Sequence, residues 1–295
     1  MKKQNKIRLT LLSVTLLVLF FALFLLWLLT APLSSAKIKI LKTLPIPLAE
    51  VNGHFLTVNE FLRRTDFLNS ISRSQGYNSG DEINSQLYLR VIEEKKISLL
   101  AGSLGVLPGD RQVGREYQER SDAEKLASGN DLDARLASKH ASKEDYVEFI
   151  LKPELTLVNL LVLFNGKGSL NKESYGLAGD LLKKLSDGMD FRGLARAYSQ
   201  EQAGKTTGGD LGFVNTGSLL PEIRETVEAM NPGEVKIIPS RLGLHLIKLE
   251  ERENETAGAA RVHLKQIFIK TDGFENWYKS QTNSYNIRNI IKINI

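Results

Sequence analysis

Leu9 to Ala31 contains no charged residue. A helix needs roughly 20 apolar residues to cross a bilayer core, and this run supplies them. Lys2, Lys3, Lys6 and Arg8 precede it and no acid does, a bias that predicts a cytoplasmic N-terminus. Trp27 suits an interfacial position. A cleaved signal peptide is the alternative, with Ser34-Ser35-Ala36 as a weak cleavage site. Such peptides carry an apolar region of only ~7–15 residues, so the longer run favours an uncleaved single-pass anchor. The expected organisation starts with a cytoplasmic tail at 1–8, the anchor at 9–31 and a linker at 32–48. Everything beyond it is expected outside the cytoplasm.

That basic tail also accounts for the overall charge. The chain has a net charge of +5 and a pI near 9.2. Beyond residue 30 it holds 35 basic and 34 acidic residues, so no nucleic-acid partner is expected. With 42% hydrophobic residues in 295, one or two domains with real cores are expected. The absence of cysteine excludes disulfide scaffolds, zinc ribbons and thiol catalysis. Four scattered histidines, His54, His140, His245 and His263, give no metal site.

The next hundred residues read as mainly helical. Ala49 to Leu56 alternates around Asn52-Gly53, a hairpin signal. Thr57 and Glu60 match a capping box ahead of a helix with Phe61, Phe67 and Leu68. A second helix is expected from Glu82 to Leu104, broken at Leu107-Pro108-Gly109-Asp110. Arg111 to His140 is polar and reads as exposed helix with a loop at Ser128-Gly129-Asn130. Ser142 caps a further helix that Pro153 is expected to end. The apolar run Leu155–Phe164 is short enough for a buried strand. Helices follow at Glu173–Ser186 and Phe191–Tyr198. Val235–Ile238, Leu244–Leu249 and Arg261–Ile269 are strand-like, and Trp277 is expected to pack the tail onto the helices.

Five phrases then occur in one order: Asp190-Phe191 with Leu194-Ala195 and Tyr198-Ser199; Gly208-Gly209-Asp210-Leu211-Gly212-Phe213; Gly217 with Leu219 and Pro221-Glu222-Ile223; Asn231-Pro232-Gly233-Glu234-Val235; and Gly243-Leu244-His245-Leu246-Ile247. Together they resemble the parvulin (PpiC-type) peptidyl-prolyl cis-trans isomerases over about residues 155–250. The order of parts, and the Val51-Asn52-Gly53 turn, is similar to the SurA/PrsA/PpiD group of extracytoplasmic foldases. The resemblance implies an α+β fold: a transmembrane helix, a mainly helical SurA-like region at 49–152, and a parvulin core at 153–250 with a small antiparallel sheet. A C-terminal strand and tail occupy 260–295.

The resemblance also implies isomerisation of X–Pro bonds without metal or cofactor. Such a bond rotates over a barrier of ~18–20 kcal/mol, while its cis form is only slightly disfavoured. The expected partners are unfolded or newly translocated polypeptides. Leu211, Leu219 and Ile223 match the proline-binding positions, with Ile223 in place of the usual phenylalanine. Ser240 and His245 match the polar positions opposite. Glu201 stands where the family has cysteine or aspartate. The family's first histidine sits in an opening strand. Leu155–Phe164 is favoured as that strand, which puts Asn159 in the histidine place. "RVHLKQIFIKT" at 261–271 reads as the same strand again, with Gln266 in that place. It opens a cut-short second copy or serves the first core by permutation.

Taken alone, several of these residues have plainer uses. Leu211, Leu219 and Ile223 suit a core, and Asp210 suits a glycine turn that donates backbone N–H groups to it. Ser199 lacks both a Gly-x-Ser-x-Gly setting and an evident base. The altered histidine pair leaves two functions open: an extracytoplasmic isomerase with His245, Glu201, Asn159 and Ser240 as catalytic residues, or a non-catalytic holdase on a parvulin scaffold.

Overall fold

The computed structural model describes residues 43–72, 81–253 and 260–291, with the single positions 19, 23, 27 and 40. Apart from those single positions the expected anchor, 9–31, lies outside the described residues. Among the described residues no helix is long and apolar enough to cross a membrane. Contacts group the chain into two units. One draws on 1–95, 130–146 and 285–295, the other on 96–129 and 147–284.

The first unit begins with the hairpin β1 (Pro47–Val51) and β2 (His54–Thr57). Asn52 and Gly53 both have positive φ, 49° and 83°, which suits a two-residue turn between antiparallel strands. Helix α1 (Val58–Ser72) starts where Thr57 Oγ1 accepts the Glu60 N–H at 3.2 Å, the expected cap. Helix α2 (Asp81–Ser103) follows, and its ring Tyr88 meets Phe61 edge-on. Helix α3 (Asp110–Ser128) belongs to the second unit; the short α4 (Leu132–Ser138) is back in the first and buries Leu132 and Leu136.

The second unit carries the larger sheet. Its helices and strands run α5 (Lys143–Tyr146, which belongs to the first unit), a π turn Val147–Leu151, α6 (Lys152–Gly166), α7 (Lys172–Ser186), α8 (Phe191–Tyr198) and α9 (Gln202–Thr207). Then come β3 (Asp210–Asn215), α10 (Pro221–Glu228), β4 (Val235–Ser240), β5 (Gly243–Glu253), β6 (Arg261–Lys270) and α11 (Phe274–Thr282). A last strand, β7 (Ile287–Asn289), returns to the first unit and pairs with β1.

The larger sheet has the order β3-β6-β5-β4, all antiparallel. Strand side chains alternate between faces, so each face builds its own core. Leu244, Leu246, Ile267 and Ile269 pack under Ala178, Leu181, Phe191, Leu194 and Ala195 of α7 and α8. Ile247, Leu249, Val262 and Leu264 face the other way, with Ile223 and Val227 of α10. His245, Gln266 and Phe268 fall on this second face by the same alternation. Helix α11 lays Trp277 and Tyr278 against Leu100, Ala101 and Leu160, with Trp277 5.3 Å from Phe164 between ring centroids. This is the packing expected of the tail.

Two expectations are corrected. Leu155–Phe164 is helix, within α6, and not a strand. A short, mostly apolar run of this kind carries too little period to separate buried helix from buried strand. Leu155, Val158, Leu160 and Phe164 are all buried there at helical spacing. Pro153 does not end the preceding helix either; the π turn Val147–Leu151 runs straight into α6, with Pro153 in its first turn. The C-terminal strand is β6, between β3 and β5, so it serves this core and opens no second copy.

Candidate active site

The site forms where the inner strands β5 and β6 run beyond the end of β3. β3 pairs with β6 only from Arg261 to Lys265. Past that point the loop after α8 takes over as the partner of β6. Gln200 N–H donates to the Phe268 carbonyl at 2.8 Å, Phe268 N–H donates to Ser199 Oγ at 3.2 Å, and Lys270 N–H donates to Gln200 Oε1 at 2.6 Å. Ser199 is thereby buried at the end of α8 and holds strand to loop, which is a structural use. The loop in turn sets Glu201 beside Gln266.

A glycine allows the close approach. Gly209 has φ +81°, and a Cβ there would lie 2.6 Å from the Gln266 carbonyl and 2.9 Å from Ala195 Cβ. Its own carbonyl accepts the Gln266 N–H at 2.8 Å. Next along, Asp210 accepts from Gly212 N–H at 2.9 Å and from His263 Nε2 at 2.8 Å. These bonds, the backbone one first, hold its carboxyl below the usual range. The expected structural reading of Asp210 is the one observed.

Four polar side chains line up across the sheet. Ser240 Oγ lies 2.7 Å from His245 Nε2. His245 Nδ1 lies 2.9 Å from Gln266 Oε1. Gln266 Nε2 donates to Glu201 Oε2 at 3.2 Å. Phe268 packs against the imidazole, with centroids 5.1 Å apart. Ser240 is fully buried and His245 is 4% exposed, whereas Gln266 is half-buried and Glu201 exposed. Burial pushes the His245 imidazole below its ordinary 6.5, against the opposing pull of the Gln266 hydrogen bond and the Glu201 and Glu222 charges. The ring is therefore neutral at pH 7.

Of the residues singled out in the sequence, Glu201, Ser240 and His245 come together. Asn159 does not join them. It sits on α6, donates to the Val106 carbonyl at 3.0 Å and exchanges hydrogen bonds with the Gln112 amide. Gln266 fills the place beside His245 that Asn159 was expected to fill. The second copy of the strand pattern was the signal for it. The three apolar positions differ among themselves. Leu211 stands at a β-bulge and is 39% exposed, Leu219 is half-buried, and Ile223 is 4% exposed within the α10 core. Arg241 carried no signal in the sequence and Glu222 appeared only within a matched phrase, yet together they brace the turn after Ser240. Glu222 Oε1 accepts from both N–H and Nε of Arg241 at 3.0 Å.

The sheet and the residues of this site lie largely within a segment that matches known proteins. Residues 154–253 match the family described as the PPIC-type PPIASE domain. This chain carries a parvulin domain. The SurA chaperone of Chromohalobacter salexigens is 30% identical over 113 residues, covering 36% of this chain and 26% of that protein. The foldase PrsA of Oceanobacillus iheyensis is 37% identical over 78 residues, 26% of each chain. The matched part thus spans about a quarter of the length of these relatives. The solved PrsA of Bacillus anthracis aligns over 67% of this chain and 88% of its own, at 17% identity and a TM-score of 0.21. Over the matched segment the chain is similar to the chaperones and foldases of the SurA and PrsA kind. The matched segment of the parvulin domain stops at residue 253, short of β6.

Proposed function

We propose that this chain is a peptidyl-prolyl cis-trans isomerase and foldase for unfolded or newly translocated polypeptides. It is held by its N-terminal apolar run at a membrane, with the domains outside the cytoplasm. The observation that carries the catalytic part is the line Ser240–His245–Gln266–Glu201, neutral at its buried end and acidic at its exposed end. Rotation about an X–Pro amide breaks no bond, so catalysis needs only a setting that favours the twisted amide over the planar one. An apolar contact for the proline ring at Leu211 and Leu219 and a carboxylate at Glu201 beside the amide are the pieces such a setting requires. His245 and Ser240 lie too deep to touch substrate and act by holding Gln266 and the turn. The anchor rests on the uncharged run Leu9–Ala31 and the basic residues before it.

One observation favours a second reading, a client-binding holdase without turnover. Ile223 is packed in the α10 core and His245 is buried, so the exposed apolar surface at the site is small. Isomerisation of a set of proline tetrapeptides by the full chain separates the two. The isomerase reading expects acceleration that Glu201→Ala and Leu219→Ala each reduce. No acceleration from a folded chain that still suppresses aggregation of an unfolded client supports the holdase.

A further inference from the structure

The histidine of this site has a fixed direction of hydrogen bonding, and the direction is set from outside. A carboxylate only accepts, so the Gln266 atom facing Glu201 is its NH2 group. The amide oxygen is then turned to His245 Nδ1, which must carry the proton to make the 2.9 Å contact. Nε2 is left bare and accepts from the Ser240 hydroxyl at 2.7 Å. Ser240 Oγ receives the Leu242 N–H at 3.0 Å, which leaves the hydroxyl proton for the histidine. Both ends of the line agree: a backbone N–H that only donates at one, a carboxylate that only accepts at the other. A histidine in place of Gln266 could present either a donor or an acceptor to Nδ1, and the line would have two directions. The amide, anchored by Glu201, has one.

We infer that Gln266, supplied by the last strand of the sheet and oriented by Glu201, is a positioning residue that locks His245 as its Nδ1–H tautomer in one ring plane. The functional weight of this lock rests on the isomerase reading; the tautomer itself does not. Two partners on opposite edges of the imidazole, with Phe268 against its face, leave the ring no free rotation. The other ring nitrogen's partner is the usual means by which proteins choose a tautomer.

The test is a long-range proton–nitrogen NMR spectrum of the full chain labelled at histidine. Only four histidines contribute, and the His245→Gln spectrum identifies the signal. A single tautomer with protonated Nδ1 and bare Nε2 is expected. Gln266→Leu removes the acceptor and Glu201→Ala frees the amide, so each is expected to give a tautomer-averaged ring while backbone amide shifts of the sheet stay in place. In peptide assays Gln266→Leu is expected to lower kcat about tenfold, the worth of one hydrogen bond, with KM little changed. An Nε2–H tautomer in the unmodified chain overturns the inference, as does a ring signal unmoved in both variants. If Gln266→Leu does not fold, Glu201→Ala, on an exposed loop, decides. Absence of turnover in the unmodified chain sinks the isomerase reading and leaves the tautomer result to be judged alone.

Discussion

Glu222 and Arg241 form one clasp from two different bonds: a single carboxylate oxygen takes both the backbone N–H and the Nε of the arginine, and the second oxygen takes Nη2 at 3.1 Å. Burial alone raises the Glu222 carboxyl, but the guanidinium and the backbone N–H outweigh it and hold the group below its ordinary 4.5. A carboxyl whose folded value is depressed stabilises the fold above its unfolded value and loses that contribution as pH falls through the folded one. Removing one partner of a mostly buried pair leaves the other without compensation. Glu222→Ala is therefore expected to cost about 1–3 kcal/mol in urea unfolding at pH 7. The gap between variant and parent should narrow toward pH 3. A gap that stays constant across this range would show that the carboxylate charge contributes nothing.

His245 sets a second pH dependence, in a higher window. Burial lowers its folded value below the 6.5 of the free side chain, so the unfolded chain binds the proton first. Stability is expected to be complete above about pH 6.5 and to decline as pH drops below it. His245→Gln, which cannot titrate, should flatten that part of the curve. Thermal unfolding between pH 8 and pH 5 reads the difference, and parallel curves for the two chains would contradict it.

Gly209 is a residue where a single methyl group would do harm at the site. Its φ of +81° is unfavourable for alanine, and the added carbon meets the Gln266 carbonyl and Ala195. Gly209→Ala is expected to cost at least about 2 kcal/mol and to lower turnover, since it pushes β6 away from its neighbours. A variant that matches the parent in denaturant midpoint would mean the turn relaxes freely.

Asn159 separates sequence pattern from site. Its amide pairs with Gln112 and Val106, on α6. Asn159→Leu is expected to lose about 1–2 kcal/mol of stability through the unpaired Gln112 amide and Val106 carbonyl. Turnover per folded molecule should not change. Lost turnover with stability intact would restore the catalytic role that the sequence pattern suggested.

Much of the architecture was legible because it follows local rules. The Asn52-Gly53 turn, the Thr57 cap, the break at Pro108 and the helix Phe191–Tyr198 all stand where short-range chemistry placed them. Ser240 and His245 were legible through the resemblance, and the tight turn between β4 and β5 brings them together. What failed was long-range. Leu155–Phe164 holds eight apolar residues and only Thr156 and Asn159 between them, so its period was weak, and the family's usual order then favoured a strand in the wrong place. The clasp of Glu222 and Arg241 has no local signature at all. Each residue alone looks like a surface charge, and only the packing of α10 against β4 makes them partners.

The position of β6 bears on how the chain is made. The strand at the middle of the sheet is the last of the sheet's strands to be synthesised, so β3 and the β4–β5 hairpin exist first with their inner edges bare. Until residue 270 is available, neither the sheet nor the line from Ser240 to Glu201 can close. Chains arrested shortly before residue 260 should thus be cut readily by protease within 200–250, and chains extended past 275 should resist. A domain assembled in this order stays inert through most of its own synthesis and gains its whole site in one late event.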